Sequence, residues 1–232
     1  MGGGNMSRAV RAGHTVLRDA GPWTPTVHRL LTHLRAQGID WVPRPLDVRD
    51  GREILSLLPG TVPAYPMPEW VWTDAVLTAA AERLARLHAA TRDFGGAGDR
   101  WQLPAHAPAE VICHNDFAPY NLVFDDEHGL VGVIDWDTAS PGPRVWDVAY
   151  LAYRLVPLAR PGNPDLPSRG RTEQRRRLAL LCRAYGPEVA PDDVMATIAP
   201  RLEELADFTA ARGPQLADHV RQYRADAAWL SA

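Results

Sequence analysis

The sequence predicts an α+β protein built in two parts. Short apolar runs separated by turns occupy much of the first 60 residues, whereas helical periodicity dominates the later sequence. A Pro-rich stretch over residues 59–68 separates the two patterns, so we place one part at residues 1–60 and the other at residues 61–232. A chain of 232 residues can bury a substantial core.

The composition is that of a soluble globular protein, with 46% hydrophobic and 23% charged residues. The formal net charge of −3 gives no electrostatic basis for binding nucleic acid or an anionic membrane. We find neither a secretion signal nor an apolar run of membrane-spanning length, so we expect a cytoplasmic protein. All 25 basic residues are Arg, so chemistry that requires a lysine amine is excluded.

The N-terminal part begins with two predicted strands within residues 7–18, joined by a turn at Ala12–Gly13. A helix follows, with Thr24 expected as N-cap, Pro25 as the first helical residue and Gly38 at the stop. Its apolar residues recur at i, i+3, i+4 and i+7, which indicates a core-facing stripe. These residues are Val27, Leu30, Leu31 and Leu34.

Two more strands are predicted at Pro43–Val48 and Arg52–Leu58, around an Asp50–Gly51 turn. Pro59 and Gly60 then break the second of these strands. The later sequence predicts an amphipathic helix at Trp70–Thr91 and, after a Gly/Pro-rich connector and the central polar stretch, three further helices. These lie at Glu173–Tyr185, Pro191–Thr209 and Gln215–Trp229.

The central stretch, Val111–Asp137, carries the chemistry. It contains the motifs H-N-D-F-A-P-Y-N and I-D-W-D, in which polar residues interrupt apolar runs around a turn at Asp125–Gly129. A carboxylate and an amide at this spacing, with a second carboxylate on a neighbouring segment, can bind Mg²⁺ beside a polyphosphate. A remaining carboxylate, Asp116, could take a proton from an attacking hydroxyl.

These two motifs resemble those of the aminoglycoside phosphotransferase and choline kinase-like family, which is related to the protein kinases. The resemblance implies a protein kinase-like fold of two lobes, with an abbreviated antiparallel-sheet N-lobe and a mainly helical C-lobe. It implies Asp116 as catalytic base and Asn121 and Asp135 as Mg²⁺ ligands. It also implies supporting roles, which fall to His114, Asp137 and Asp147.

The nucleotide-binding part departs from the pattern that the resemblance implies. Kinase-like folds pair a strand Lys with a helix Glu, but here the strand offers Arg18 and the helix has no acid. Arg18 could contact phosphates if His28, His33 or an acid elsewhere positioned it; a plain surface Arg is the alternative. Further nucleotide contacts are expected from the backbone of the hinge and from a shortened glycine lid. The hinge residues are Leu57 and Leu58, and the lid residues are Gly3 and Gly4.

The sequence thus predicts transfer of a γ-phosphoryl group to a hydroxyl of a small molecule, with Mg²⁺ and ATP, or GTP as alternative donor. Two other functions stay open: a nucleotide-binding pseudokinase or interaction module, and a metal-dependent phosphohydrolase. The oligomeric state also stays open.

An acidic pocket for an aminoglycoside-like acceptor could come from Glu203, Glu204, Asp207 and Asp218, although a solvated face explains these residues equally well. An aromatic cage for a choline-like acceptor could come from Tyr185, Phe208, Tyr223 and Trp229.

Overall fold

A computed structural model describes residues 9–232. Its N-terminal lobe is a four-stranded antiparallel sheet, in the order β1-β2-β4-β3, with one helix, α1. The predicted Gly3 and Gly4 lid lies outside the described residues. The bounds of the elements are β1 Val10–Ala12, β2 Thr15–Asp19, α1 Thr24–Ala36, β3 Pro45–Arg49 and β4 Arg52–Ser56.

Helix α1 begins one residue earlier than predicted, because Thr24 is its first residue and not its N-cap. The hydroxyl of Thr24 accepts a hydrogen bond from the Gly21 amide, 2.9 Å away, and so closes the turn before the helix. The helix ends at Ala36, and Gly38, the predicted stop, follows with a φ of +75°, a left-handed conformation that glycine adopts without strain. The predicted apolar stripe of α1 is buried.

A single extended segment joins the lobes after β4. Thr61 exchanges backbone hydrogen bonds with Phe124, at 2.7 and 2.9 Å, so the segment is anchored to the C-terminal lobe. Gly60 makes this possible: a Cβ there would meet the Phe124 carbonyl oxygen at 2.5 Å, and its φ of +135° disfavours other residues.

The C-terminal lobe is mainly helical. Its central stretch forms two small antiparallel pairs, β5 with β8 and β6 with β7. The strands on either side of the Asp125–Gly129 turn are β6 and β7, and the strand at Val111 pairs instead with β8. Among residues 9–232, none of the helices is both long and apolar enough to span a membrane. The bounds are α2 Asp74–Ala90, β5 Val111–Cys113, β6 Leu122–Phe124, β7 Leu130–Val133, β8 Ser140–Gly142, α3 Arg144–Leu155, α4 Arg171–Tyr185, α5 Pro191–Ala210 and α6 Ala217–Leu230.

Candidate active site

The loop between β5 and β6 is held by one buried carboxylate. Asp147, in the first turn of α3, accepts hydrogen bonds from the amides of His114 (2.6 Å) and Asn115 (2.8 Å). These bonds stabilise the left-handed conformation of Asn115, whose φ is +64°. Asp147 therefore lies where the sequence analysis expected a supporting residue.

His88, on α2, supports Asp147 in turn. Its Nε2 lies 3.2 Å from Asp147 Oδ2, and its Nδ1 lies 2.7 Å from the Tyr185 hydroxyl. Burial alone would raise the pKa of Asp147. The hydrogen bond and charge of His88, together with the hydrogen bond from the His114 backbone amide, hold that pKa below its ordinary value. His88, Cys113 and Asp147 are close enough to share a metal ion, yet two of them are already committed to these hydrogen bonds.

Asp116 lies at the centre of a hydrogen-bonded cluster. Its backbone amide donates to His114 Nδ1 (3.3 Å), and His114 Nε2 donates to the Ile134 carbonyl (3.0 Å). Its Oδ1 accepts from the Tyr120 hydroxyl (2.7 Å), and its Oδ2 accepts from Asn121 Nδ2 (2.8 Å). His114 thereby ties the loop to the segment before Asp135, as a structural brace would.

Burial raises the pKa of Asp116 above its ordinary value, and the nearby charge of Asp135 acts in the same direction. The hydrogen bonds from Tyr120 and Asn121 oppose that shift but do not cancel it. A carboxylate with a raised pKa is a better proton acceptor than an ordinary one, provided that it is ionised at the working pH.

Arg18 lies on β2 and makes ion pairs with three carboxylates. Its Nε donates to Glu53 Oε1 (2.8 Å), its Nη1 to Asp135 Oδ1 (2.7 Å) and its Nη2 to Asp137 Oδ1 (2.5 Å). The alternative of a plain surface Arg is wrong, because only 5% of the residue is exposed. Burial raises the pKa of Asp137 to about 6 in spite of Arg18.

Glu53 is the residue that the sequence analysis missed. It lies on β4, is 1% exposed, and accepts a second hydrogen bond from His28 Nε2 on α1, at 2.9 Å. The acid that positions Arg18 therefore comes from the adjacent strand, and the helix supplies a histidine. The other candidate, His33, instead has its Nε2 2.7 Å from the Ala90 carbonyl.

The predicted hinge residues follow β4 directly. The Leu57 amide donates to the His14 carbonyl at 2.9 Å, which continues the pairing of β4 with β2. Leu58 extends over β7, where a Cβ on Gly132 would meet its Cδ1 at 2.7 Å. The Leu57 amide is thus committed within the sheet, and a role of Leu57 and Leu58 in nucleotide binding stays a prediction.

The residues predicted to bind Mg²⁺ have the donor atoms that this ion requires. Asn121 Nδ2 donates to the carbonyl oxygen and to Oδ2 of Asp116, so the side-chain oxygen of Asn121 is left for an ion. Asp135 is partly exposed, and Arg18 contacts only its Oδ1. Both residues line the same cavity as Asp116. One amide oxygen and one carboxylate fit an ion that keeps several waters and substrate oxygens.

This cavity has a volume of about 340 Å³ and lies between the catalytic loop and helices α3, α5 and α6. Of the four acids considered for an acceptor pocket, only Glu204 lines it; Glu203, Asp207 and Asp218 are exposed.

Of the four aromatic candidates for an acceptor cage, Phe208 and Tyr223 line the cavity. Tyr185 instead bonds to His88, and Trp229 is not among the lining residues. Two buried arginines, Arg154 and Arg201, also line the cavity and were not predicted.

Comparison with known proteins supports the resemblance seen in the motifs. The sequence profile of the phosphotransferase enzyme family matches residues 98–181, which include the catalytic loop, Asp135 and Asp147. A trifolitoxin immunity protein from Rhizobium leguminosarum bv. trifolii is 34% identical over 148 residues, which are 60% of this chain and 54% of that protein. The chain thus spans about half the length of this curated relative.

Solved structures share the whole fold at low sequence identity. A choline/ethanolamine kinase family protein from Mesorhizobium loti has a TM-score of 0.61 at 17% identity, covering 98% of this chain and 86% of that one. The ternary complex of APH(2")-IIa with streptomycin and ATP has a TM-score of 0.52 at 14% identity, covering 96% of this chain and 93% of that one. The predicted kinase-like α+β fold is confirmed.

Proposed function

We propose that this protein is a phosphotransferase that moves the γ-phosphoryl group of ATP to a hydroxyl of a small molecule. The observation that carries the proposal is the position of Asp116, held by Tyr120 and Asn121 at the edge of a cavity that also contains Asp135. The family match over this region and the ATP complex of a protein with the same fold support the choice of reaction and donor.

Each residue has a defined role in the proposed reaction. The acceptor hydroxyl gives its proton to Asp116 as its oxygen bonds to the γ-phosphorus, and the bond from that phosphorus to the bridging oxygen of ADP breaks. Asn121 and Asp135 would hold Mg²⁺, which neutralises charge on the phosphate oxygens when bound. Asp147 and His114 keep the loop in the conformation that directs Asp116 into the cavity.

Arg18 would leave part of its present arrangement when nucleotide binds. Its Nη1 and Nη2 now contact Asp135 and Asp137, while Glu53 holds its Nε. Glu53, which contacts both Nε and Nη2, can keep the side chain in place while phosphate oxygens replace the carboxylates of Asp135 and Asp137 at the two Nη groups, since a guanidinium binds phosphate through two parallel donors.

Thermal unfolding with and without Mg²⁺–ATP tests the nucleotide site. A ligand that binds only the folded protein stabilises it by about 2.7 kcal/mol at a hundredfold excess over Kd. We expect a shift that needs both Mg²⁺ and ATP and that shrinks in Asp135→Ala, but not in Asp126→Ala, which changes an exposed acid of the β6–β7 turn. The absence of any shift at millimolar ATP would contradict the proposal. GTP in place of ATP identifies the donor.

A nucleotide-binding module without catalysis is the second candidate. The contacts of Arg18 with Asp135 and Asp137 favour it, because they engage an acid that the reaction needs for its metal. The two candidates differ in turnover: a phosphotransferase forms ADP faster when a suitable alcohol is added, whereas a binding module gives the thermal shift alone.

A further inference from the structure

Arg154, on α3, is a buried cation without an anionic partner. It lines the cavity beside Asp116 and is 2% exposed. Among residues 9–232 its guanidinium makes no hydrogen bond and no ion pair, and its Nε is both buried and unpartnered. Burying a charge without such a partner is unfavourable.

The two acids whose charges act on Arg154 have hydrogen-bond partners elsewhere. Asp226 accepts hydrogen bonds from the Tyr153 hydroxyl (2.8 Å) and from Asn163 Nδ2 (2.6 Å). Asp165 accepts one from Gln222 Nε2, at 2.9 Å. Both carboxylates act on Arg154 through their charge, but burial dominates and lowers its pKa. A guanidinium nevertheless stays protonated in a protein.

Aromatic rings hold the Arg154 side chain in place. Its guanidinium carbon lies 5.2 Å from the ring centre of Tyr120, 5.5 Å from that of Tyr153 and 5.6 Å from that of Tyr65. Cation–π contacts use the charge of the guanidinium but not its N–H groups. Its planar set of donors therefore stays available to a ligand, and such a set matches the oxygens of a carboxylate or a phosphate.

We propose that the acceptor is an alcohol that also carries an anionic carboxylate or phosphate group, and that Arg154 binds this group. The inference rests on the proposed function, because it specifies the substrate class of the same site. Arg201 adds a second buried positive charge to the cavity, and its Nη2 donates to the Asn115 carbonyl at 2.5 Å.

The arrangement also sets the size of the acceptor. Arg154 packs over the ring of Tyr120, whose hydroxyl donates to Asp116 Oδ1. The point where the acceptor hydroxyl reacts and the point where its anionic group binds are thus separated by about one tyrosine side chain. A hydroxy acid or phosphorylated alcohol of a few carbons spans that separation.

A cationic acceptor fits the Arg154 side of the cavity less well. The Tyr65 and Tyr120 faces that could surround a quaternary ammonium already contact Arg154. Glu204 is the one acid predicted for an aminoglycoside pocket that lines the cavity. Its Oε2 lies 2.7 Å from His106 Nε2, so it already has a partner. Choline-like and aminoglycoside-like acceptors would also meet the charges of Arg154 and Arg201.

The test uses four alcohols that differ in charge: 4-hydroxybutyrate, glycerol 3-phosphate, 1,4-butanediol and choline. Binding to the protein is measured by calorimetry, and ADP formation with Mg²⁺–ATP is measured in parallel. We expect 4-hydroxybutyrate, glycerol 3-phosphate or both to bind at least tenfold more tightly than the neutral diol and choline. Preference between these two anions distinguishes a carboxylate from a phosphate.

Variants connect the preference to Arg154. Arg154→Met should raise the KM for the preferred anionic alcohol at least tenfold with a smaller change in kcat, and Arg154→Lys should recover part of the loss. Arg224→Met removes an exposed guanidinium of α6 and should change neither constant. Circular dichroism checks that each variant is folded.

Three outcomes overturn the inference: choline binds better than the anionic alcohols, neither anionic alcohol binds at millimolar concentration, or folded Arg154→Met leaves the anionic preference intact. Thermal unfolding with Mg²⁺–ATP separates these outcomes from failure of the proposed function. If Mg²⁺–ATP binds and choline is the better substrate, only the inference fails. If Mg²⁺–ATP does not bind, the proposed function fails.

Discussion

Arg18 and Arg154 are both buried, but they differ in what surrounds their charge. Arg18 is 5% exposed and contacts Glu53, Asp135 and Asp137, so burial lowers its pKa but the three carboxylates together raise it above its ordinary value. Arg154 is 2% exposed and, among the described residues, has ring contacts but no hydrogen bond or ion pair, so burial outweighs the charges of Asp165 and Asp226 and lowers its pKa. In this fold, one arginine organises charges of the protein, whereas the other offers its charge to a ligand.

Asp116→Asn should have the largest effect, because Asp116 accepts the proton in the proposed reaction. We expect turnover to fall by about 10²–10⁴-fold, the usual contribution of a general base. The stabilisation by Mg²⁺–ATP on the Arg18 side and anion binding on the Arg154 side should stay close to those of the wild type. Steady-state kinetics and thermal unfolding measure the two kinds of effect separately.

The matched control for this prediction is Asp126→Asn, an exposed acid of the β6–β7 turn, which should leave turnover unchanged. If Asp116→Asn loses nucleotide binding together with turnover, Asp116 would be a nucleotide ligand and the assignment of a base would be wrong.

Arg18→Met should have the largest effect on stability. Glu53, which is 1% exposed, would then keep only its contact with His28. Asp135 and Asp137 would lose the cation that they share. Breaking a buried ion pair from one side costs about 3–5 kcal/mol of the free energy of unfolding. Urea denaturation measures the loss, and Arg49→Met, an exposed arginine on β3, provides the control.

A double variant sharpens this prediction. Glu53→Leu combined with Arg18→Met removes both charges of the pair, so part of the loss should be recovered. A loss of less than about 1 kcal/mol in Arg18→Met alone would mean that the three ion pairs contribute little, because exposed pairs are worth about that much.

His28→Ala should have a smaller effect on the same cluster. It removes one of the hydrogen bonds to Glu53 but leaves Arg18 in contact with that carboxylate. Removing one partner of a buried hydrogen bond costs about 1–3 kcal/mol of the free energy of unfolding. Urea denaturation against His14→Ala, an exposed histidine in the β1–β2 turn, measures the difference. An unchanged stability would show that Glu53 is held by Arg18 alone.

The loop that carries Asp116 could be predicted from sequence because its information is local. Asp116 and Asn121 are five residues apart, and Asp135 follows in a second motif, so the resemblance of the two motifs to a known family identified the set of residues. The structure brings all three to one cavity. Asp147 also came from that resemblance, and it lies in the first turn of α3.

The environments of the two arginines could not be predicted in the same way. Glu53 is 35 residues from Arg18, and only strand pairing makes them neighbours. In the structure Glu53 and Leu55 share the buried face of β4, an unusual place for an acid, but the sequence R-E-I-L-S does not show which face is buried. Likewise, Arg154 lies in a helix with apolar residues around most of its circumference, but the sequence does not show which rings or acids surround it.

Arg154→Met should have the smallest effect on stability, and it tests the comparison most directly. Removing Arg154 relieves the desolvation of an unpaired charge, loses three ring contacts, and leaves no carboxylate without a hydrogen-bond donor. These contributions oppose each other, so we expect the free energy of unfolding to change by about 1 kcal/mol or less in either direction. Urea denaturation without nucleotide measures it beside Arg18→Met, and the two changes should add in the double variant. A loss as large as that of Arg18→Met would mean that Asp165 and Asp226 neutralise Arg154 through space, and Arg154 would then be a structural cation with no charge to offer an acceptor.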